Sequence, residues 1–294
     1  MPTILVTGDC QSQYMAIALQ PLMPDVEVRY LITALLPTDD RDTLTDAVRS
    51  ADTWLRIRIP HDEWAVGLAR GGPSLIEIPS VLFRGFHPDC TVALTSAGVL
   101  VPSALEYSSA IGLWAWRHGL EPTEAEALFD APVMAELGYL AAWARARAAW
   151  AADVATIPFD MRPVVARLMR RGCFMHTFNH PRMLYYSLAA RAFAAHLGRT
   201  VDWDEPLEDV LMDPTGFTVW PVYPPIATFL GIPGNYRWLA TGALYSSPLE
   251  YLEASWTAYG DNDPSDMRDP YSDEALLDTV LTAYASRLDR AASS

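Results

Sequence analysis

The chain has 294 residues, 51% of them apolar, enough to bury a large core as one big domain or one domain with elaborations. Its formal net charge of −15 excludes the phosphate electrostatics on which nucleic-acid binding rests, so no nucleic-acid partner is expected. All 21 basic residues are arginine. The absence of lysine excludes Schiff-base lysines and a P-loop lysine, and leaves arginine, backbone N–H groups and hydroxyls to hold any anion.

Cysteine usage is sparse. Cys10, Cys90 and Cys173 are an odd number, far apart, with no CxxC pair, so neither a zinc site nor a disulfide framework is expected. The first residues enter a strand with no basic and apolar leader before it. No apolar run is long enough to span a membrane. A cytoplasmic protein fits all of this.

In chain order, the first ninety residues alternate strands with helices. Strands are expected at Thr3–Val6, Val26–Ile32, Thr53–Ile59 and Ser80–Phe83, and helices at Ser12–Leu22, Thr43–Ser50 and near Asp62–Ala69. This β-α-β rhythm predicts a mostly parallel sheet with flanking helices, on which ligands bind beyond the carboxyl ends of the strands. The middle is helical: Ser103–Gly119, then a long helix from Glu121 to about Ala152, then about Arg162–Arg171. A short strand at Cys173–Thr177 leads through Asn179-His-Pro-Arg182 into a helix, Met183–Leu197. From Thr200 prolines, aromatics and acids crowd the chain, and Trp220-Pro-Val-Tyr-Pro-Pro225 cannot be ordinary helix. Helices are expected again at Pro248–Tyr259 and Asp273–Ala291, with an acidic loop, Asp261–Asp273, between them. The economical organisation is an α/β catalytic domain over residues 1–200 with a helical and irregular C-terminal elaboration, residues 201–294, packed on it.

Three short motifs carry candidate chemistry: Gly8-Asp9-Cys10-Gln11, Gly85-Phe86-His87-Pro88-Asp89 and Asn179-His180-Pro181. Cys10 stands where a strand turns into a helix. Orphan N–H groups and the positive end of the helix dipole favour a thiolate there, and the same groups suit a developing oxyanion. The plain alternative is a small buried cysteine in a tight turn. If the three strands share one parallel sheet, Cys10, His87 and His180 converge on one edge, and histidine is the usual partner that lowers a thiol pKa. Each histidine alone is as easily a strand-end residue bonded to backbone. Asp9 orients a histidine or caps the following helix. Glu77, Asp89 and Glu106 are candidates for a third member of a triad, and the sequence does not choose among them. His176 and His180 lack the helical spacing of a metal pair, so no metal is expected. His61, His118 and His196 read as surface or cap residues. Arg84, Arg182 and Arg237 are available for phosphates. Tyr185–Tyr186 and Trp220–Tyr223 either stack a base or sugar or simply pack.

These motifs, together with Tyr107-Ser-Ser-Ala-Ile, Trp116-Arg-His-Gly-Leu and Phe174-Met-His-Thr-Phe-Asn-His-Pro, resemble the WcbI-type polysaccharide biosynthesis acetyltransferase family over about residues 3–200. The family's usual Gly-Asn-Cys-Gln opening has Asp9 here, and its Gly-Tyr-His-Pro motif has Phe86. The resemblance implies an α/β fold related to the SGNH/GDSL hydrolases, a coenzyme A (acetyl-CoA) site, and acyl transfer to a glycan sugar. The hydrolases' Asp-x-x-His block is not intact, since Thr177 stands three before His180.

The resulting expectation is a coenzyme A-dependent acyltransferase acting on a saccharide or small hydroxylated acceptor. Cys10 is its nucleophile or thiol relay, His87 or His180 its base, and the N–H groups of Cys10 and Gln11 its oxyanion hole. Alternatively Cys10 positions the cofactor thiol while histidine activates the acceptor directly. Residues expected to hold the coenzyme are Gly8, Asp9, Gln11, Arg84, Ser108, Asn179 and Arg182. Two rivals remain: a cysteine-dependent esterase on the same scaffold, and a non-catalytic coenzyme A or nucleotide binder that regulates a partner. A homo-oligomer is compatible with the sequence.

Overall fold

The computed structural model describes residues 1–37, 40–59, 63–203 and 216–292. It falls into two compact units, each assembled from separate stretches of chain. The first comprises Met1–Leu82, Ala148–Phe174 and Asn179–Gly216; the second comprises Phe83–Arg147, Met175–Phe178 and Phe217–Ser294. Residues on both sides of position 200 contribute to each unit.

The first unit is built on a four-stranded parallel sheet. Its strands are β1 (Thr3–Gly8), β2 (Glu27–Ile32), β3 (Thr53–Arg58) and β4 (Ser74–Pro79), in the order β2-β1-β3-β4. Every residue of β1 is buried, as expected for an inner strand covered on both faces. Its register runs Thr3 opposite Glu27 to Gly8 opposite Ile32 on one side, and Ile4 opposite Thr53 on the other. Helix α1 (Gln11–Leu19) follows β1 directly and packs against α2 (Met183–His196 of the sequence), α1 and α2 being the two helices that concern the site. The helix Arg41–Arg49 lays Leu44 and Val48 on Leu5, Trp54 and Ala65, and the Trp54 indole donates to the Thr7 hydroxyl at 2.8 Å. An apolar cluster of this kind supplies roughly 1.5–3 kcal/mol per fully buried large side chain.

The second unit holds only short strands. Cys90–Thr91 pairs antiparallel with Ser108–Ser109, Ala93–Thr95 with both Leu100–Val101 and Met267–Arg268, and Trp238–Ala240 with Ala243–Tyr245. Around them lie the helices Ala110–Arg117, Pro248–Tyr259 and Glu274–Ala292.

Several expected elements differ, each for a local reason. The fourth sheet strand is Ser74–Pro79, and Ser80–Phe83 lies beyond its end. There the Val81 N–H is taken by the Gln11 side chain and the Phe83 N–H by the Phe178 carbonyl, so no ladder continues. Cys173–Thr177 is likewise not a sheet strand. The helix expected over Ser103–Gly119 starts only at Ala110, because Ser109 caps it by accepting from the Gly112 N–H. The long helix from Glu121 breaks into Pro122–Glu126, Ala131–Glu136 and Ala142–Val154. Asp130 caps the second piece with a proline in its first turn, and Gly138, at φ 71°, ends it in the left-handed region. Glu63–Ala69 is 3₁₀ rather than α-helix. The first helix of the sheet unit starts at Gln11; residues 220–223 are non-helical as expected, but Pro224 and Pro225 open a short helix, Pro224–Leu230, since proline is tolerated in a first helical turn. Among the described residues no helix is long and apolar enough to cross a membrane.

Candidate functional site

Strand β1 ends at Gly8, whose φ is 145°. A Cβ there would stand 2.7 Å from both the Cβ and the carbonyl oxygen of Ile57, so the turn requires glycine. The next residues place Asp9 and Cys10 at the carboxyl end of the inner strand and at the N-terminus of α1. The Ser12 N–H and hydroxyl both donate to the Asp9 carbonyl, at 3.0 and 2.8 Å. The Asp9 carboxylate accepts from the Gln11 N–H at 2.9 Å and from the Ser80 hydroxyl at 2.6 Å. Burial pushes the Asp9 carboxyl above the usual carboxylate range, and those two donors hold it back down in part. Of the two N–H groups expected to form an oxyanion hole, that of Gln11 is thus engaged by Asp9.

The Cys10 Sγ lies 3.1 Å from His180 Nε2, both residues being partly exposed and both belonging to the sheet unit. Either atom donates, depending on the tautomer. A thiol in contact with an imidazole at a helix N-terminus can pass its proton across and act as a nucleophile. The segment bearing His180 is pinned at its base by the Arg182 N–H, which donates to the Phe174 carbonyl at 2.9 Å. It is pinned again at Asn179, whose carbonyl accepts from the Gln11 amide at 3.0 Å. The Gln11 Nε2 also contacts the Ser80 hydroxyl (2.9 Å) and the Val81 carbonyl (3.1 Å), while Oε1 accepts from the Val81 N–H (3.0 Å). One turn along α1, the Tyr14 ring meets Tyr186 of α2 at 5.5 Å. Tyr186 is buried, and its hydroxyl pKa is pushed up by that burial, then by the Cys10 sulfur.

Of the other expected site residues, Arg84, His87 and Ser108 belong to the second unit and Arg182 to the sheet unit. His87 is buried in the second unit, its Nδ1 3.2 Å from the Pro221 carbonyl and its Nε2 3.5 Å from the Met175 carbonyl. Asp89, also there, is wholly buried. It accepts from the Ser109 hydroxyl, the Ile111 N–H (3.0 Å), Tyr139 (3.2 Å) and Tyr223 (2.7 Å). Burial pushes its carboxyl up. Arg84 donates to the Pro88 carbonyl (2.6 Å), the Tyr271 carbonyl (3.0 Å) and the Ser272 hydroxyl (3.5 Å), and lies over the Phe178 and Tyr271 rings. Ser108 is buried on a strand, opposite Thr91. Arg182, by contrast, is exposed, at the N-cap of α2 in the sheet unit.

Of the remaining carboxylates, Glu77 pairs with Arg56 and Glu106 is exposed. His118 caps its helix, stacks on Trp114 and faces Asp278; His196 is exposed in the last turn of α2; His61 lies outside the described residues. Cys90 is buried, which raises its thiol pKa far above the ordinary value. No group of three potential ligands fit to hold a metal occurs among the described residues. The aromatic run Trp220–Tyr223 packs inward, against Trp238 and Tyr251. Sequence reading missed Ser80. Nothing local marks it, because its role comes only from the fold bringing it against Asp9 and Gln11.

The profile of the polysaccharide biosynthesis enzyme WcbI matches residues 3–201, a span that includes β1, Cys10 and His180. The chain belongs to the WcbI family. A solved structure of WcbI resembles it at a TM-score of 0.69 and 15% identity, covering 96% of this chain and 95% of that one. That protein is described as a novel polysaccharide biosynthesis enzyme, in its native form without a disulfide bond between coenzyme A and one of its cysteines. At this identity the likeness establishes the α/β fold, with its central parallel sheet. No curated protein sequence matches the chain. Within the WcbI frame, the Gly-Asp-Cys-Gln departure at Asp9 replaces an amide by a carboxylate beside the thiol.

Proposed function

We propose that this WcbI-family protein binds coenzyme A and transfers an acyl group, acetyl in the first instance, to a hydroxyl of a saccharide or similar small acceptor in polysaccharide biosynthesis. The observation that carries the reading is the 3.1 Å approach of Cys10 Sγ to His180 Nε2 at the end of the inner strand. The family, and the coenzyme A and cysteine named for the WcbI structure, support it. The residues present suit a thioester substrate. A partly exposed thiol meets a base, and the exposed guanidinium of Arg182, two residues past His180, is available for a phosphate. Arg84 is already committed to Pro88, Tyr271 and Ser272, so Arg182 is the stronger anchor of the two.

Bound acyl-coenzyme A would supply an electrophilic carbonyl with a thiolate leaving group. His180 Nε2 takes the Cys10 proton as Sγ bonds to the carbonyl carbon. His180 then returns that proton to the departing sulfur as the old carbon–sulfur bond breaks. In the second half His180 takes the proton of the acceptor hydroxyl while its oxygen bonds to the same carbon. The bond to Cys10 breaks and Sγ recovers its proton. The acyl group has moved from thioester to ester, and the enzyme is unchanged. Acyl-coenzyme A is an intracellular substrate, so the reading carries a cytoplasmic location with it. The sheet, with its chemistry at the end of β1, is proposed as a relative of the SGNH hydrolases in which thiol replaces hydroxyl.

The test is free-thiol release from acetyl-CoA against a panel of sugars and nucleotide sugars, with acetate measured in parallel. Acceptor-dependent thiol release that Cys10→Ser abolishes supports the reading. Acetate release from simple esters without coenzyme, in place of transfer, overturns it in favour of an esterase. Absence of coenzyme A binding by calorimetry overturns it outright.

A further inference from the structure

We infer that Gln11 is a positioning residue that holds His180 against Cys10, and not a ligand of the coenzyme; the inference rests on the Cys10–His180 reading above. A carboxamide has two N–H hydrogens and one acceptor oxygen. In Gln11 the nitrogen already faces three acceptors, the Ser80 hydroxyl, the Val81 carbonyl and the Asn179 carbonyl, at 2.9, 3.1 and 3.0 Å. The oxygen takes the Val81 N–H at 3.0 Å. The residue is 2% exposed. It has no donor left for a phosphate or an amide of an incoming molecule.

Its placement gives those bonds a purpose. Gln11 follows Cys10 directly, and Asn179 precedes His180 directly, the bond between them spanning 168 positions of sequence. The carbonyl it grips belongs to the peptide unit whose nitrogen is that of His180, so holding this oxygen fixes the plane from which the imidazole departs. The Ser80 hydroxyl, which receives from Gln11, also donates to Asp9 on the other side of Cys10. One buried side chain, on the residue that follows Cys10, thus holds the carbonyl of the residue that precedes His180. Displacing a catalytic group by about 1 Å costs on the order of a hundredfold in rate.

Two variants test this. Gln11→Glu keeps the shape but sets a carboxylate oxygen against the Val81 and Asn179 carbonyls. Gln11→Met keeps the volume and removes every hydrogen bond, in case the glutamate variant fails to fold; circular dichroism melts select whichever is folded. Cys10 alkylation by iodoacetamide is followed against pH by mass spectrometry, coenzyme A binding by calorimetry, and kcat and KM with acetyl-CoA. The expected result is an alkylation midpoint moved up toward the free-thiol value of about 8.5, by about one pH unit or more. With it kcat falls roughly a hundredfold, while coenzyme Kd and KM stay within a few-fold. An alkylation profile that superimposes on the wild type overturns the inference wherever the wild-type midpoint lies. A tenfold or greater loss of coenzyme affinity overturns it too, by making Gln11 a ligand. If the wild type binds no coenzyme at all, the transferase reading fails, and the alkylation profile still decides the role of Gln11.

Discussion

Cys10 Sγ and His180 Nε2 stand 3.1 Å apart although 170 positions of sequence separate them. The cysteine is delivered by the inner strand of the sheet, and the histidine by an irregular segment that leads into the helix packed on α1. Neither element alone brings a thiol against an imidazole. Together they set a proton donor and acceptor at the positive end of a helix, where a thiolate is favoured.

The first prediction removes the imidazole. In His180→Gln the thiol loses the imidazole that can take its proton, and the iodoacetamide profile of Cys10 should move up toward the ordinary thiol midpoint of about 8.5. Cys90 should stay unreactive in both proteins, since its burial raises its pKa far above the ordinary value. A Cys10 midpoint unchanged by the substitution would remove His180 as the base.

The second prediction concerns Asp9, where the family usually has asparagine. Its carboxyl is pushed above the ordinary 3.8, first by burial. The native state therefore binds this proton more tightly than the unfolded chain, and ionisation weakens the native state. This stability contribution is complete below the unfolded-state value and is lost as pH rises through the raised one. Asp9→Asn has no such loss. Its melting temperature relative to the wild type should climb between pH 3 and pH 7, and a difference that stays flat or falls would contradict the assignment. Removing a negative charge beside the sulfur should also speed Cys10 alkylation at neutral pH, by up to about tenfold for one pKa unit.

How far the sequence was legible follows from these same residues. The strand-to-helix turn at Gly8–Cys10 was readable because a continuous apolar run, a glycine and the helix after it are all local signals. The sheet was readable for the same reason, apart from its fourth strand. Ser80–Phe83 has the composition of a strand, yet its backbone groups are claimed by Gln11 and Phe178, partners that only the fold supplies. The expectation of three strands ending on one edge differs from the structure, because neither Ser80–Phe83 nor Cys173–Thr177 is a sheet strand. His180 reaches Cys10 from an irregular segment, and His87 is buried among backbone carbonyls of the second unit. The long helix expected after Glu121 does not form: alanine-rich composition favours it, but the Asp130 cap and Gly138 interrupt it.

The third prediction separates two arginines that sequence treated alike. Arg84 binds the Pro88 and Tyr271 carbonyls and lies over two rings, so Arg84→Ala should lower stability. A hydrogen bond to a charged group is worth about 1.5–3 kcal/mol at most, and partial exposure of this site puts the loss nearer 1–2 kcal/mol. Coenzyme A affinity should be unchanged. Arg182→Ala should do the reverse, leaving urea unfolding near wild type and weakening coenzyme binding about tenfold. Equal effects of both variants on binding would place a phosphate at Arg84 as well.

The fourth prediction concerns the turn that aims Cys10. In Gly8→Ala the new Cβ meets the Ile57 Cβ and carbonyl oxygen, both at 2.7 Å, in a backbone conformation at φ 145°. Neither obstacle is the far end of a flexible side chain, so the strand end must shift. The backbone conformation alone costs roughly 1–3 kcal/mol, and the collision adds to it. Urea unfolding should show a loss of at least about 2 kcal/mol. Because the shift occurs two residues before Cys10, alkylation of the remaining folded fraction should slow as well. Gly67→Ala is the comparison: nothing stands within 4 Å of its added Cβ. It should unfold within about 0.5 kcal/mol of the wild type, as substitutions on open surface do. If Gly8→Ala were equally silent, the close approach to Ile57 would not be what fixes the position of Cys10.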